Sequence, residues 1–297
     1  VTALPNDKRA LPYGSAFAIQ DIDTLAVLQE PLDLSCLHDI QVMPRFLAQY
    51  HDWIASTQLN RLKGLERFPH RSFSLGTSEA FDKFYLRHST RRFRCFRGEY
   101  LYHKLAWRDW LSWSYLEDGD LDKNDAVVIS MPFSDLGSPH PDQSELLARC
   151  QELGVPVLMD CAFFGICRDI DFDFSAECIT DLTFSLSKTF PVAHARIGMR
   201  YSTVDHDDTM FVYDKLDYVS RVGASLGLRF LQRFGPDFIC QRYSSAQISL
   251  CEELGVQPSP TVLFGLGGPE WHIYNRGLDT NRLSFHRQLP LRWTEIT

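Results

Sequence analysis

Leu182-Thr183-Phe184-Ser185-Leu186-Ser187-Lys188, followed eight residues after the lysine by Arg196-Ile197-Gly198, is the stretch that decides the fold. An apolar run ending in hydroxyls and a lysine predicts a buried strand with polar groups at its carboxyl end. Taken alone, Ser-x-Ser-Lys also describes many solvated surface lysines. The neighbourhood gives it weight. Short apolar runs at residues 72–75, 93–96, 126–131, 155–159 and 197–201 alternate with helix-like segments, the clearest being 144–153, stopped by Gly154. Continuous apolar strands between helices predict a mostly parallel sheet covered on both faces. Such sheets bind ligands at the carboxyl ends of their strands.

Two more strand ends carry chemistry. Asp160 closes the run Val155-Pro156-Val157-Leu158-Met159, as a ligand position or a turn cap. Gly76-Thr77-Ser78-Glu79-Ala80 follows Phe73-Ser74-Leu75 and opens a helix-like stretch. Free N–H groups and two hydroxyls there suit an anion, or form a capped helix start that binds nothing.

In chain order, Gly76-Thr77-Ser78, Gly98-Glu99-Tyr100, Asp160-Cys161-Ala162-Phe163, Ser185-x-Ser187-Lys188, Arg196-x-Gly198 and Asn281-Arg282-Leu283-Ser284 resemble the class I and II aminotransferases of pyridoxal-5'-phosphate (PLP) fold type I. The resemblance spans residues 35–290 and is most specific from Ser185 to Gly198. It implies an α/β chain with a large cofactor-binding domain at 46–205 and a small α+β domain at 206–297. An N-terminal segment, 1–45, would pack with the latter. Lys188 would carry PLP as a Schiff base and move protons, and Asp160 would pair with the pyridine nitrogen. Thr77, Ser78, Ser185 and Arg196 would hold the phosphate, Gly76 and Ser187 would also line the cofactor site, Tyr100 would stack on the ring, and Arg282 would clamp a substrate carboxylate.

Two positions depart from the family. The tyrosine that donates to the cofactor's phenolic oxygen is Phe163 here, and the asparagine that also contacts it is matched by Ser134, in Met131-Pro132-Phe133-Ser134-Asp135-Leu136-Gly137. Losing both donors predicts a Schiff base that keeps its proton, and its yellow colour, to unusually high pH. The resemblance implies amino-group transfer between an amino acid and a 2-oxo acid in a homodimer. A lyase or decarboxylase uses the same constellation, and a PLP-binding pseudoenzyme is a third reading.

The remaining sequence bounds partners and setting. A formal net charge of −8 argues against nucleic acid. The run from Arg91 to Arg97 reads as a basic strand edge. Eight cysteines, at 36, 95, 150, 161, 167, 178, 240 and 251, form no Cys-x-x-Cys pair or zinc-type spacing, which predicts free thiols, no metal and a reducing cytoplasm. No signal peptide or membrane-length apolar stretch is read. Helical spacing covers residues 42–65 and most of 211–254, strand-like runs occupy 261–264 and 283–285, and Trp107, Trp110 and Trp113 read as one helix face.

Overall fold

The strands follow one another as β1 (Arg61–Lys63), β2 (His70–Ser74), β3 (Arg92–Cys95), β4 (Trp113–Tyr115), β5 (Asp125–Ser130), β6 (Val157–Asp160), β7 (Asp171–Asp173), β8 (Ile179–Ser185), β9 (Gly198–Ser202), β10 (Gln257–Pro258), β11 (Phe264–Gly267) and β12 (Asn281–Ser284). This computed structural model describes residues 12–296. The first eleven residues of the N-terminal segment lie outside them. Seven strands form the main sheet in the order β2-β9-β8-β6-β5-β3-β4. Its pairings from β8 through β6, β5 and β3 to β4 are parallel, and only β9 runs against its neighbours.

Alternation along the central strands explains why both faces are covered. Val127, Ile129, Val157 and Met159 face one apolar core, and Ala126, Val128 and Leu158 face another. Burying a Val or Ile on either side contributes about 1.5–3 kcal/mol. The first face is covered by α2 (Val42–Ala55) and α7 (Arg221–Arg233), which pack on each other, and the second by α3 (Thr77–Arg87). A third core joins α8 (Phe238–Leu254), β11 and β12 to Ile19 of the N-terminal segment. Gly154 and Gly255, at φ 66° and 67°, end their helices in the left-handed conformation that glycine adopts without strain.

Three sequence expectations need correction. The helix predicted over 42–65 stops at Ala55, because Asp237 accepts hydrogen bonds from Thr57 Oγ (2.6 Å) and Gln58 N (2.6 Å) and draws the chain out of it. The three tryptophans do not share a helix face. The helix Leu101–Trp107 ends at Arg108, whose φ is 23°, so Trp110 projects 87% exposed while Trp113 lies on β4. The basic run is no edge either. Its β3 lies between β5 and β4, and Arg94 is fully buried on Asp125 (2.9 Å) and the carbonyls of Asp120 and Tyr115.

The cysteines in the described residues are free and buried, as their isolation in apolar runs predicts. No described helix is long and apolar enough to cross a membrane. Among the described residues no group of three or more His, Cys, Asp or Glu is arranged to hold a metal ion.

Candidate active site

The strand order brings the polar strand ends to one edge of the sheet. β2 is followed by Thr77, β8 by Lys188, β6 ends in Asp160, β5 leads to Ser134, and β3 leads to Glu99 and Tyr100. Antiparallel β9 begins where β8 finishes, which puts Arg196 at the same edge. These residues, with Ser185, Ser187, Phe163 and Arg282, line a single cavity of about 570 Å³. The volume is of the size that holds a cofactor and a small substrate.

At one end Gly76 (φ 71°) leads into α3, whose start has no side-chain cap. Arg196 Nη2 donates to Leu75 O (3.0 Å) and Ser78 Oγ (2.6 Å), which holds the guanidinium against that helix start. A Cβ on Gly76 would stand 2.5 Å from Arg196 Nη2, so glycine is what lets the arginine lie there. Ser185 Oγ donates to Ser187 Oγ (2.8 Å) beside them. Uncapped N–H groups, hydroxyls and a cation together suit an anion.

The middle of the cavity holds Lys188 and Asp160. Burial, with Arg282 and Arg196 nearby and Asp160 opposing, brings the Lys188 ammonium down to about 8. Its Nζ donates to Ala16 O at 2.7 Å. Asp160 is 4% exposed and pushed up to about 8 by burial and the neighbouring Glu99. Its Oδ1 accepts from Ala162 N (3.0 Å), and Oδ2 has no hydrogen bond among the described residues. A buried carboxyl with an open oxygen suits a cationic or protonated ring nitrogen.

At the far end the groups are charged and enclosed. Arg282 is 1% exposed, held by the carbonyls of Ser134 and Gly14 (2.7 Å) with its guanidinium 4.3 Å above the Phe264 ring. Burial and Arg276 lower its basicity, yet a guanidinium stays cationic there. Phe163 packs edge-on to Phe264 (5.2 Å) and has no donor to offer. Tyr100 lines the cavity 43% exposed, with room for a ring to lie against it.

Every residue singled out from the sequence lies at this edge of the sheet. Gly76, the one that is not on the cavity wall, acts by making room for Arg196. Sequence reasoning gave no role to Glu99, Asp135, Arg276 or the strap of Gly14 and Ala16. Glu99 is 3% exposed and accepts from Ser130 N (2.5 Å), Ser130 Oγ (2.6 Å) and Tyr100 N (2.8 Å). Ser130 is the register partner of Asp160, so two carboxyl groups stand side by side, each raised by burial. His140 is buried, stacks on Phe96 at 3.6 Å and accepts from Asp142 N (3.2 Å).

No family model and no curated protein matches the sequence. Solved structures do match. An aminotransferase from Helicobacter pylori superimposes with a TM-score of 0.64 at 13% identity, over 96% of this chain and 92% of its own. The PLP-bound C–S lyase from Staphylococcus hominis gives 0.61 at 10% identity, over 96% and 89%. The L-threonine-O-3-phosphate decarboxylase from Porphyromonas gingivalis gives 0.60 at 12%, over 96% and 98%. The fold is fold type I. Aminotransferases, a lyase and a decarboxylase share it at similar scores, so the similarity by itself does not choose a reaction.

Proposed function

We propose that this chain is a PLP-dependent aminotransferase that moves an amino group between an amino acid and a 2-oxo acid. The observation that carries the reading is the convergence of Lys188, Asp160 and the Arg196–Ser78 cradle on one cavity. The donor set fits PLP: an uncapped helix start with Arg196 for the phosphate, a buried acid with an open oxygen for the ring nitrogen, and a lysine of lowered basicity for the aldehyde. Once bound, PLP supplies an electron sink for the carbanion formed at a substrate's Cα.

The chain's own residues do the rest. Lys188, near 8, would hold the cofactor through its aldehyde and would hold or give up a proton beside the substrate carbon. Asp160 would hold the ring nitrogen in its protonated form. Arg282 orients the substrate by its α-carboxylate, in place of the Ser134 and Gly14 carbonyls that it holds here. Phe163 and Phe264 exclude water from that side. A lyase or decarboxylase would use the same residues, and fold neighbours of both kinds keep that reading open beside the first. The proposal includes a cytoplasmic homodimer without nucleic-acid or membrane partners, and a division into 46–205 and 206–297 with 1–45 packed on the smaller part.

The test is to load the protein with PLP, add a panel of amino acids and follow the absorbance. Conversion to a pyridoxamine spectrum that a 2-oxo acid reverses supports transamination. Release of ammonia, sulfide or CO2 without such reversal identifies a lyase or decarboxylase.

A further inference from the structure

Arg276 lies on the loop between the 3-10 turn Pro269–Tyr274 and β12, and its side chain reaches the cavity wall 22% exposed. Its Nε faces Asp135 Oδ1 at 3.4 Å and its Nη2 donates to Ser134 Oγ at 3.3 Å. Nη1 has no protein partner among the described residues. Asp135 is fully buried, and neither of its carboxyl oxygens makes a hydrogen bond to a described residue. A guanidinium with one edge against a buried acid and one nitrogen free is held in place while keeping a donor to give.

The order of the strands says which part of a bound cofactor would lie beside Arg276. The phosphate cradle belongs to β2, β9 and β8, Asp160 ends β6, and Ser134 with Arg276 stands beyond β5. On the PLP ring, the phosphate arm and the phenolic oxygen flank the carbon that bears the aldehyde, and the nitrogen lies opposite that carbon. With the nitrogen at Asp160 and the phosphate at Arg196, the phenolic oxygen turns away from β8 toward the β5 side. There Phe163 has no donor, and Ser134 Oγ accepts from Arg276 and keeps one neutral O–H to give, so the guanidinium is the charged donor on this side. Resting on the cofactor reading above, we infer that Arg276 donates a charged hydrogen bond to the phenolic oxygen of bound PLP.

A cation at this oxygen stabilises the phenolate and so makes the adjoining imine nitrogen less basic. The inference replaces the sequence expectation of a Schiff base protonated to unusually high pH. That behaviour now belongs to the variant without the guanidinium. Asp135, Glu99, Tyr100 and Arg282 are the other titratable or charged groups facing Arg276, with Lys104, Asp160, Lys188 and Arg196 completing the cavity. None of these is altered in the principal comparison.

The experiment follows the visible band of PLP-loaded protein against pH, without substrate, in wild type, Arg276→Met and Arg276→Lys. PLP dissociation is measured in parallel by dialysis. Arg276→Met should keep its protonated band about one pH unit or more above wild type, and Arg276→Lys should restore most of the difference. Equal titration of wild type and Arg276→Met, within about 0.3 unit, overturns the inference. Because Arg276→Met leaves Asp135 without its counterion, Asp135→Asn/Arg276→Met removes both charges and must show the same shift. A shift confined to the single variant would mean that Arg276 serves only Asp135, and the inference falls. A wild type with no band that depends on Lys188 overturns the cofactor reading itself, and this inference with it.

Discussion

Beneath β2, β8 and β9, the groups poised for an anion are backbone N–H groups, hydroxyls and an exposed arginine. Beyond β5 they are charged side chains taken out of water: Glu99, Asp135 and Arg282, with Arg276 half withdrawn. The first end depends on backbone geometry and tolerates solvent. The second depends on mutual compensation, since a buried charge is tolerable only when it is paired. One end can therefore be perturbed piecemeal, while at the other each change exposes a neighbour.

The sharpest contrast should come from Asp160, where the two ends meet. Asp160→Asn should lower turnover about a hundredfold or more, since it removes a charge aimed at the cofactor's electron sink. The same change should stabilise the cofactor-free protein in a pH-dependent way. Burial holds this carboxyl at about 8, above an unfolded aspartate's value of about 3.9. Its contribution to stability is thus complete below about pH 4 and is lost as pH rises toward 8. Cofactor-free Asp160→Asn should melt roughly 3 °C or more above wild type at pH 8, and the two should converge toward pH 4. Equal melting at both values would mean that the carboxyl is better solvated than its 4% exposure indicates.

At the cradle end the effects should be smaller and fall mainly on binding. Arg196→Ala should raise the PLP dissociation constant about ten- to a hundredfold, the worth of one or two charge-assisted hydrogen bonds, with little change in melting. Gly76→Ala should reproduce part of that loss through Arg196, and should destabilise by about 1 kcal/mol through its φ of 71°. Dialysis and thermal melts separate the two contributions. An Arg196→Ala protein that binds PLP as wild type does would move the phosphate elsewhere.

The smallest effect is expected from adding a donor. Phe163→Tyr puts a hydroxyl at the end of a ring already packed against Phe264. With Arg276 present it should lower the imine titration by less than about half a unit, and by more in Arg276→Met. Spectra of the single and double variants would show whether the two donors substitute for each other.

What could be read from the sequence divides along the same line. Lys188, Asp160, Thr77, Ser78 and Arg196 stand at or beside strand ends or open a helix, where local pattern and chemistry point to the same residues. The trimmed ends of the strands differed from their apolar runs by a few residues only, because alternating burial on two faces constrains them. Arg276 and the Gly14–Ala16 strap sit on irregular segments that reach the cavity only through the tertiary fold, and their partners lie 142 to 268 residues away. Glu99 stood inside a recognised motif, but its bond to Ser130 depends on β3 and β5 being neighbours, which periodicity does not reveal. Trp110 and the basic run misled because spacing alone does not show where a helix ends or which strand is central.

The most direct measurement is the absorbance spectrum of the purified protein after PLP is supplied, in wild type and Lys188→Ala. A visible band in wild type that is absent from Lys188→Ala, and that an amino acid bleaches and a 2-oxo acid restores, is the expected result. If wild type shows no such band, or Lys188→Ala keeps it, Lys188 does not carry the cofactor and the proposed function fails.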